Sequence, residues 1–202
     1  MPGPTLQEVD TDLDLLHRLQ EGDEQAFVEL VSRYQQPMLR LARTLVPSHA
    51  VAEEAVQDAW MGVVRGIERF EGRSSLKTWL FRILANRAKS AGAVEQRQVP
   101  VETRAIDAAA FNASGQWANP VQPWVDDVEN RLDAQARSGL LKAALDGLPA
   151  RQRQVVLLRD VEDLSSDEVC AVLSISAGNQ RILLHRGRHR LRDALDAVMR
   201  EG

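Results

Sequence analysis

The fold is decided by residues 165–192, which read SSDEVCAVLSISAGNQRILLHRGRHRLR. Ser165 can accept a hydrogen bond from the backbone at the start of a short helix, and Glu168 can return one, which is the capping-box pattern. After a tight turn, Ser176 can cap a second helix that runs to about Met199. A short helix, a tight turn and a long basic helix together predict a helix-turn-helix, the unit that places its second helix in a DNA groove.

Helical geometry assigns two faces to the second helix of this motif, since successive residues are turned by about 100°. The predicted packing face contains Gln180, Leu183, Leu184, Leu191, Ala194, Leu195 and Val198. The opposite face is basic and carries Arg181, Ile182, His185 and His189, flanked by Asn179, Arg186 and Arg192. Such side chains can read base edges or contact phosphate. For any single arginine, solvation at the surface is an equally good interpretation, and both histidines are interpreted as surface residues.

Composition predicts a helical protein of one or two domains. The chain has 202 residues, 44% of them apolar and only 4% aromatic, and β-branched runs are scarce. One cysteine, Cys170, excludes an internal disulfide framework and suits a reducing compartment. No apolar stretch approaches the roughly 20 residues that span a bilayer, and no secretory signal pattern is present. We therefore expect a cytoplasmic protein without membrane insertion.

Charge is distributed unevenly along the chain. The formal net charge is −4, yet residues 177–192 contain five arginines, two histidines and no acid. Residues 9–29 contain seven acids and one arginine. The basic segment 177–192 is suited to contacts with phosphate groups. The acidic segment 9–29 indicates a different, basic partner.

Breaks in helical periodicity divide the chain into four segments. Residues 1–11 are predicted to be a flexible N-terminus, 12–90 a helical domain, 91–129 a linker and 130–202 a second helical domain. The linker segment contains Pro100, Pro120 and Pro123 and sustains no period, which is typical of a tether or a functional loop. The expected fold is all-α, with two small domains on a long flexible linker.

The first domain contains a predicted amphipathic helix, SSLKTWLFRILAN at residues 74–86. Its predicted core stripe is Leu76, Trp79, Leu80 and Ile83, and a similar stripe on the preceding helix is Trp60, Val64 and Ile67. The predicted outward face of residues 74–86 carries Lys77, Thr78, Phe81 and Arg82, with Asn86 at its edge and Lys89 beyond. A basic face with an interleaved aromatic suits single-stranded DNA, because bases stack on rings and phosphates meet cations.

Two blocks resemble the extracytoplasmic-function (ECF) sigma factors of bacterial RNA polymerase. They are AVAEEAVQDAWMGVVRGIERFEGRSSLKTWLFRILANRAKS at residues 50–90 and LPARQRQVVLLRDVEDLSSDEVCAVLSISAGNQRILLHRGRHRLR at residues 148–192. The family usually reads T-V-K-S-R where this chain has residues 179–183, NQRIL. Ala55 and Leu84 replace a usual leucine and alanine. The resemblance implies a sigma region 2-like domain at 12–90 and a region 4-like domain at 130–202.

The resemblance also implies roles for individual residues. Polymerase core, through the coiled coil of its β′ subunit and its β subunit, would be bound by Glu53, Glu54, Gln57, Asp58 and Trp60. The minus-ten promoter element would be bound by Arg73, Ser74, Lys77, Phe81, Arg82 and Asn86. The minus-thirty-five element would be bound by Ser176, Asn179, Arg181, Ile182, His185, Arg186 and Arg188. An anti-sigma protein is a further expected partner, and no cofactor or metal is expected. The linker would thread the polymerase cleft, although a simple tether is an equal alternative.

Two other functions are alternatives to this one. A dimeric helix-turn-helix regulator would explain the second domain, but it would not explain the pattern of residues 74–86. An enzyme is disfavoured because no phosphate loop, metal cluster or nucleophile–base pair is apparent in the sequence.

Overall fold

The computed structural model describes the backbone of residues 6–92 and 134–201, and the side chains of residues 12–90 and 139–198. All elements in these ranges are helical, which confirms the predicted fold class. They are α1 (Leu6–Gln20), α2 (Glu24–Leu45), α3 (His49–Gly66), α4 (Leu76–Gly92), α5 (Ala134–Asp146), α6 (Ala150–Val156), α7 (Ser166–Leu173) and α8 (Ala177–Glu201). A 3₁₀ turn, Ile67–Arg69, extends α3, and a π-helical turn, Leu157–Val161, extends α6.

The two segments predicted to be irregular are only partly within these ranges. Helix α1 begins at Leu6, inside the segment 1–11 that was expected to be a flexible N-terminus. The predicted linker, 91–129, lies outside the described residues apart from the last residues of α4.

Polar caps fix where the long helices of the first domain begin. The Asp23 carboxylate accepts hydrogen bonds from the backbone N–H groups of Gln25 at 2.8 Å and Ala26 at 3.3 Å, so α2 begins at the next residue. Ser48 accepts one from the N–H of Val51 at 3.3 Å and starts α3 in the same way.

Small residues let α3 and α4 pack closely. The buried side of α3 consists of Ala52, Ala55, Val56, Ala59 and Val63. At its end, a Cβ placed on Gly66 would come within 3.2 Å of the Trp79 ring, so glycine makes room for the indole.

The core stripe predicted for α3 is partly wrong. Ile67 is buried and Trp60 is half-buried, but Val64 is 55% exposed. The buried side of α3 centres on the alanines and Val63, and Val64 is turned about 100° away from it. On α4 the predicted stripe is confirmed for Leu76 and Leu80, which are buried, while Trp79 and Ile83 are half-buried.

The helix-turn-helix prediction is confirmed in detail. Ser165 and Glu168 form the reciprocal capping box of α7, and Ser174 adopts the left-handed conformation, with φ of 56°, at its end. Ser176 Oγ then accepts a hydrogen bond from the backbone N–H of Asn179 at 3.2 Å. These contacts set the turn between α7 and α8.

The packing face predicted for α8 is only partly buried. Gln180, Leu191 and Leu195 are buried, and Leu183 and Leu184 are half-buried. Ala194 and Val198 are exposed, since only the row of residues 191 and 195 faces α5 and α6 in the last turns. At the crossing of α6 and α8, a Cβ on Gly187 would lie 2.6 Å from Val156 Cγ2, so the absence of a side chain there sets the approach of the two helices.

The two domains pack against each other. Helix α4 contacts α7, and α2 contacts α6. One cluster of buried apolar side chains runs from Phe81 and Leu84 in the first domain to Val169, Val172 and Leu173 in the second. The two domains thus share a continuous core, in addition to any connection through the linker.

Candidate nucleic-acid interface

The outer face of α8 carries most of the side chains predicted to contact duplex DNA. Ser176, Asn179, Arg181 and Arg186 are exposed, and Ile182 and His185 are half-buried. The Arg181 side chain donates from Nε to the carbonyl of Ala177 at 3.4 Å, within its own helix. The exposed part of this face therefore combines hydrogen-bond donors and positive charge in the first three turns of the helix.

Arg188 is placed differently from the other residues of that set. Its guanidinium donates to both oxygens of the Asp160 carboxylate, from Nε to Oδ2 at 2.9 Å and from Nη2 to Oδ1 at 2.5 Å. The Arg188 side chain is 19% exposed and that of Asp160 is 9% exposed. In this state the guanidinium is held inside the domain rather than on its outer face.

On α4, the residues predicted to contact single-stranded DNA are divided between an exposed strip and a covered face. Arg82, Asn86 and Lys89 are exposed along one strip, and Arg73 and Ser74 are exposed in the preceding loop. In that loop Gly72 has a φ of +68°, a conformation that glycine adopts without strain. Arg73 Nε donates to Glu71 Oε2 at 2.6 Å.

The rest of the predicted α4 face is covered by the second domain, so the expectation that it faces outward is wrong for this state. Phe81 is fully buried and Thr78 is 3% exposed. Lys77 Nζ donates to the carbonyl oxygen of Glu162 and lies 3.6 Å from a carboxylate oxygen of the same residue. The cause is long-range packing: residues 162–173 lie on the side of α4 that helical periodicity marks as polar.

Glu168 joins the two domains through its carboxylate. Its Oε1 accepts hydrogen bonds from the hydroxyls of Thr78 at 2.6 Å and Ser75 at 2.7 Å, and its Oε2 accepts one from the backbone N–H of Ser165 at 2.9 Å. Partial burial alone would raise the pKa of Glu168. The hydrogen bonds, with that from Thr78 the largest, outweigh burial, so the pKa of this carboxyl lies below its usual value.

Further polar contacts between the domains were not predicted from the sequence. Arg40 Nη2 lies 2.6 Å from Glu162 Oε1, Gln154 Nε2 donates to the carbonyl of Thr44 at 2.7 Å, and Lys89 Nζ donates to Ser174 Oγ at 3.0 Å. Their partners are 85 to 122 residues apart along the chain, and no local pattern in the sequence marks them as neighbours.

The residues predicted to bind polymerase lie on one side of α3, which we call the α3 face. Glu53, Glu54, Gln57 and Asp58 are exposed. Trp60 is half-buried at the edge, where its Nε1 donates to Gln35 Oε1 at 2.6 Å and its ring meets Phe27 edge-on, with centroids 5.9 Å apart.

Two apolar residues of the α3 face were missed. Met61 and Val64 are 51% and 55% exposed and lie three and six residues after Asp58 on α3. Asp58, Met61 and Val64 are spaced by three residues, which indicates that they lie along one side of α3. From the sequence alone, however, an apolar residue in a helix is normally assigned to the core.

Across residues 12–90 and 139–198, no three His, Cys, Asp or Glu side chains are grouped so as to hold a metal ion. None of the described helices combines the length and apolar character needed to span a membrane.

Comparison with known families matches both domains in the order expected. The model of Sigma-70 region 2 matches residues 30–97, and that of Sigma-70 region 4 matches residues 138–191. The ECF RNA polymerase sigma-E factor of Escherichia coli is 30% identical over 191 residues, a span of 94% of this chain and 97% of that protein. The chain belongs to the sigma-70 family. The resemblance to ECF sigma factors is thereby confirmed, and the chain is a sigma factor, which gives RNA polymerase its promoter specificity.

Two further relatives agree with this. The sigma-E factor of Haemophilus influenzae is 29% identical over 189 residues, covering 94% of this sigma factor and 97% of that one. The sigma factor RpoE of Bartonella quintana, solved in complex with the anti-sigma factor NepR, is 27% identical, with a TM-score of 0.55 over 84% of this chain and 96% of that one.

Proposed function

We propose that this sigma factor uses three surfaces for three binding functions: the α3 face, the α4 side of the first domain and helix α8. The α3 face would bind polymerase core. The observation that carries this assignment is the mixture of exposed acids and exposed apolar side chains on the α3 face. Protein interfaces commonly bury an apolar centre inside a polar rim. Met61 and Val64 would supply the apolar part of the contact with the β′ coiled coil, and the polar part would come from Glu53, Glu54, Gln57, Asp58 and Trp60. Further contacts would reach the β subunit.

The α4 side of the first domain would bind the minus-ten element as single-stranded DNA. The residues assigned to it are Arg73, Ser74, Lys77, Phe81, Arg82 and Asn86. Arg82, Asn86, Arg73 and Ser74 are exposed and support this role directly. Phe81 and Lys77 would join them once the second domain moves off α4, because a base can stack only on an uncovered ring.

Helix α8 would bind the minus-thirty-five element. The residues assigned to it are Ser176, Asn179, Arg181, Ile182, His185, Arg186 and Arg188. Exposure of the polar and cationic members in the first turns of the helix supports major-groove contact there. Arg188 would orient the helix through Asp160 and would contact DNA only if that ion pair opened.

The remaining features concern partners and compartment. We propose that an anti-sigma protein holds this chain inactive, as NepR accompanies RpoE in the Bartonella quintana complex. Sigma factors act as regulators of polymerase, and we propose that this one has no catalysis of its own and works in the cytoplasm. A dimeric helix-turn-helix regulator remains the alternative, but it gives no use to the region 2 domain.

Run-off transcription is the test. Core polymerase with and without the purified chain would be assayed on a fragmented genomic library of the host. New discrete transcripts that share two spaced upstream elements are expected. Binding to core without any transcript would contradict the assignment as a self-sufficient sigma factor, and failure to bind core would remove the proposed function.

A matched pair of variants tests the α3 face. Asp58→Arg reverses a charge inside the face, whereas Asp196→Arg reverses a charge on α8, in the second domain and outside the face. Asp58→Arg is expected to weaken binding to core polymerase and Asp196→Arg to leave it near wild type. Equal effects would place the docking surface elsewhere.

A further inference from the structure

Two cations of the first domain converge on one carboxylate of the second. Glu162 is 4% exposed, its Oε1 lies 2.6 Å from Arg40 Nη2, and its Oε2 lies 3.6 Å from Lys77 Nζ. Arg40 is on α2 and Lys77 on α4, so the pair is assembled by the packing of the first domain. The Glu162 carboxylate thus marks a position where two positive groups reach a two-oxygen anion.

A phosphodiester offers the same recognition features as this carboxylate. Both carry two oxygens that share a negative charge, and guanidinium and ammonium groups bind either of them. Once Glu162 leaves, Arg40 and Lys77 would be uncovered, and Phe81, one helical turn after Lys77 on α4, belongs to the buried cluster that spans the two domains. Cations beside an aromatic ring form the arrangement that binds single-stranded nucleic acid.

We propose that Arg40 and Lys77 form a binding site for one backbone phosphate of single-stranded DNA, and that Glu162 occupies this site in the closed chain. Arg40 is thus a further DNA-contacting residue, contributed by α2. The inference rests on the proposed role of the α4 side in DNA binding and extends it in two ways: it adds a ligand group, and it makes closure of the two domains competitive with DNA.

Other contacts of the interface act in the same direction. Glu168 holds the Thr78 and Ser75 hydroxyls, and Ser174 holds the Lys89 ammonium. Closure therefore occupies hydroxyls, cations and the aromatic ring of the α4 side together. The α3 face remains exposed in the same state, so docking on polymerase does not require the domains to separate.

The experiment measures affinity of the full-length chain for short single-stranded DNA oligonucleotides of random sequence, over a range of salt concentrations. Glu162→Gln removes the competing charge with almost no change of shape and is expected to tighten binding severalfold. In the Glu162→Gln background, Arg40→Gln is expected to reverse this gain and to reduce the slope of log affinity against log salt by about 0.7, the value for one phosphate of a single strand.

Arg43→Gln is the matched control, because Arg43 is an exposed arginine of the same helix whose guanidinium contacts His49 of the first domain. It should change neither the affinity nor the salt slope as Arg40→Gln does. Thermal unfolding of each variant checks that the fold is intact. Glu168→Gln, which weakens closure without touching Arg40, is a second route to tighter binding.

Equal effects of Arg40→Gln and Arg43→Gln would overturn the phosphate site and leave the Arg40–Glu162 pair as a contact between domains only. Unchanged affinity in both Glu162→Gln and Glu168→Gln would overturn the competition. If no variant binds the oligonucleotides while run-off transcription remains intact, the site is refuted and the sigma-factor function stands. Loss of core binding and of transcription in the wild-type chain would instead refute the proposed function.

Discussion

Thr78 and Glu168 are 90 residues apart in the chain, and a hydrogen bond of 2.6 Å joins the Thr78 hydroxyl to the Glu168 carboxylate. The same carboxylate also accepts a hydrogen bond from the backbone N–H of Ser165, which forms half of the capping box of α7. One side chain therefore both starts the first helix of the helix-turn-helix and holds the second domain on α4.

These two roles of Glu168 can be separated by substitution. Ser165→Ala removes the other half of the capping box and is expected to lower the free energy of unfolding by about 1 kcal/mol. Glu168→Ala should lower it further, because the bonds to Thr78 and Ser75 are lost as well. Urea unfolding measures both variants, and equal losses would mean that the contact between domains adds nothing to stability.

The lowered pKa of Glu168 predicts a pH dependence. A carboxyl whose pKa is lower in the folded state adds stability above its unfolded pKa and loses it as pH falls through the folded value. The difference in unfolding free energy between wild type and Glu168→Gln should therefore be largest near neutral pH and shrink on acidification. A difference that grows as pH falls would show that burial, not hydrogen bonding, dominates at this carboxyl.

Glycine at position 187 is predicted to be essential to the packing of α6 on α8. Gly187→Ala would place a Cβ 2.6 Å from Val156 and should lower the free energy of unfolding by about 1–3 kcal/mol. A Cβ at Gly178 on the same helix would meet no atom of the described residues within 4 Å, so Gly178→Ala should leave stability unchanged or raise it by up to about 1 kcal/mol. Adding Val156→Ala should reduce the loss caused by Gly187→Ala; purely additive losses would argue against the steric explanation.

Gln180 is predicted to be a site where stability can be gained. Its side chain is fully buried, and within the described part of the chain neither its amide nitrogen nor its amide oxygen has a hydrogen-bond partner. Burying such groups costs about 1–3 kcal/mol, and methionine has a similar shape without them. Gln180→Met should raise the thermal unfolding temperature, whereas a fall would indicate that ordered water satisfies the amide.

Arg181 and Arg188 are predicted to differ in what they contribute. Arg188→Ala leaves the nearly buried Asp160 carboxylate without its partner and should cost about 1.5–3 kcal/mol of stability. Arg181→Ala should change stability by no more than about 0.5 kcal/mol but weaken binding of polymerase holoenzyme to promoters. If that weakening is uniform across sequences and lowers the salt slope by about 1, Arg181 contacts phosphate rather than a base. A stability loss at Arg181 equal to that at Arg188 would contradict the distinction.

The helix-turn-helix could be predicted from the sequence because its determinants are local. The Ser165–Glu168 capping box and the turn before Ser176 both depend on residues within a few positions of each other, and helical spacing alone puts Gln180 on the packing face. The residue types at these positions therefore carried enough information to place them correctly.

The closed arrangement of the domains could not be predicted in this way. Helical periodicity distinguishes the two sides of α4, but a polar side can face either solvent or a polar partner. Lys77 and Thr78 contact carboxylate-bearing residues more than 80 positions away, and Phe81 on the same helix is fully buried. The same ambiguity, in the opposite sense, led Val64 to be assigned to the core although it is exposed.

The π-helical turn Leu157–Val161 holds one residue more than an α-helical turn would, and the Glu162 N–H bonds to the carbonyl of Leu157 at 2.9 Å across it. Asp160 pairs within the second domain, whereas Glu162, two positions later, pairs with the first. Deleting one residue here would restore the α-helical pitch and turn the following chain by about 100°. We expect a chain shortened in this way to keep its helices but to lose the Arg40–Glu162 ion pair, so a single extra residue of the backbone directs the Glu162 carboxylate across the domain boundary.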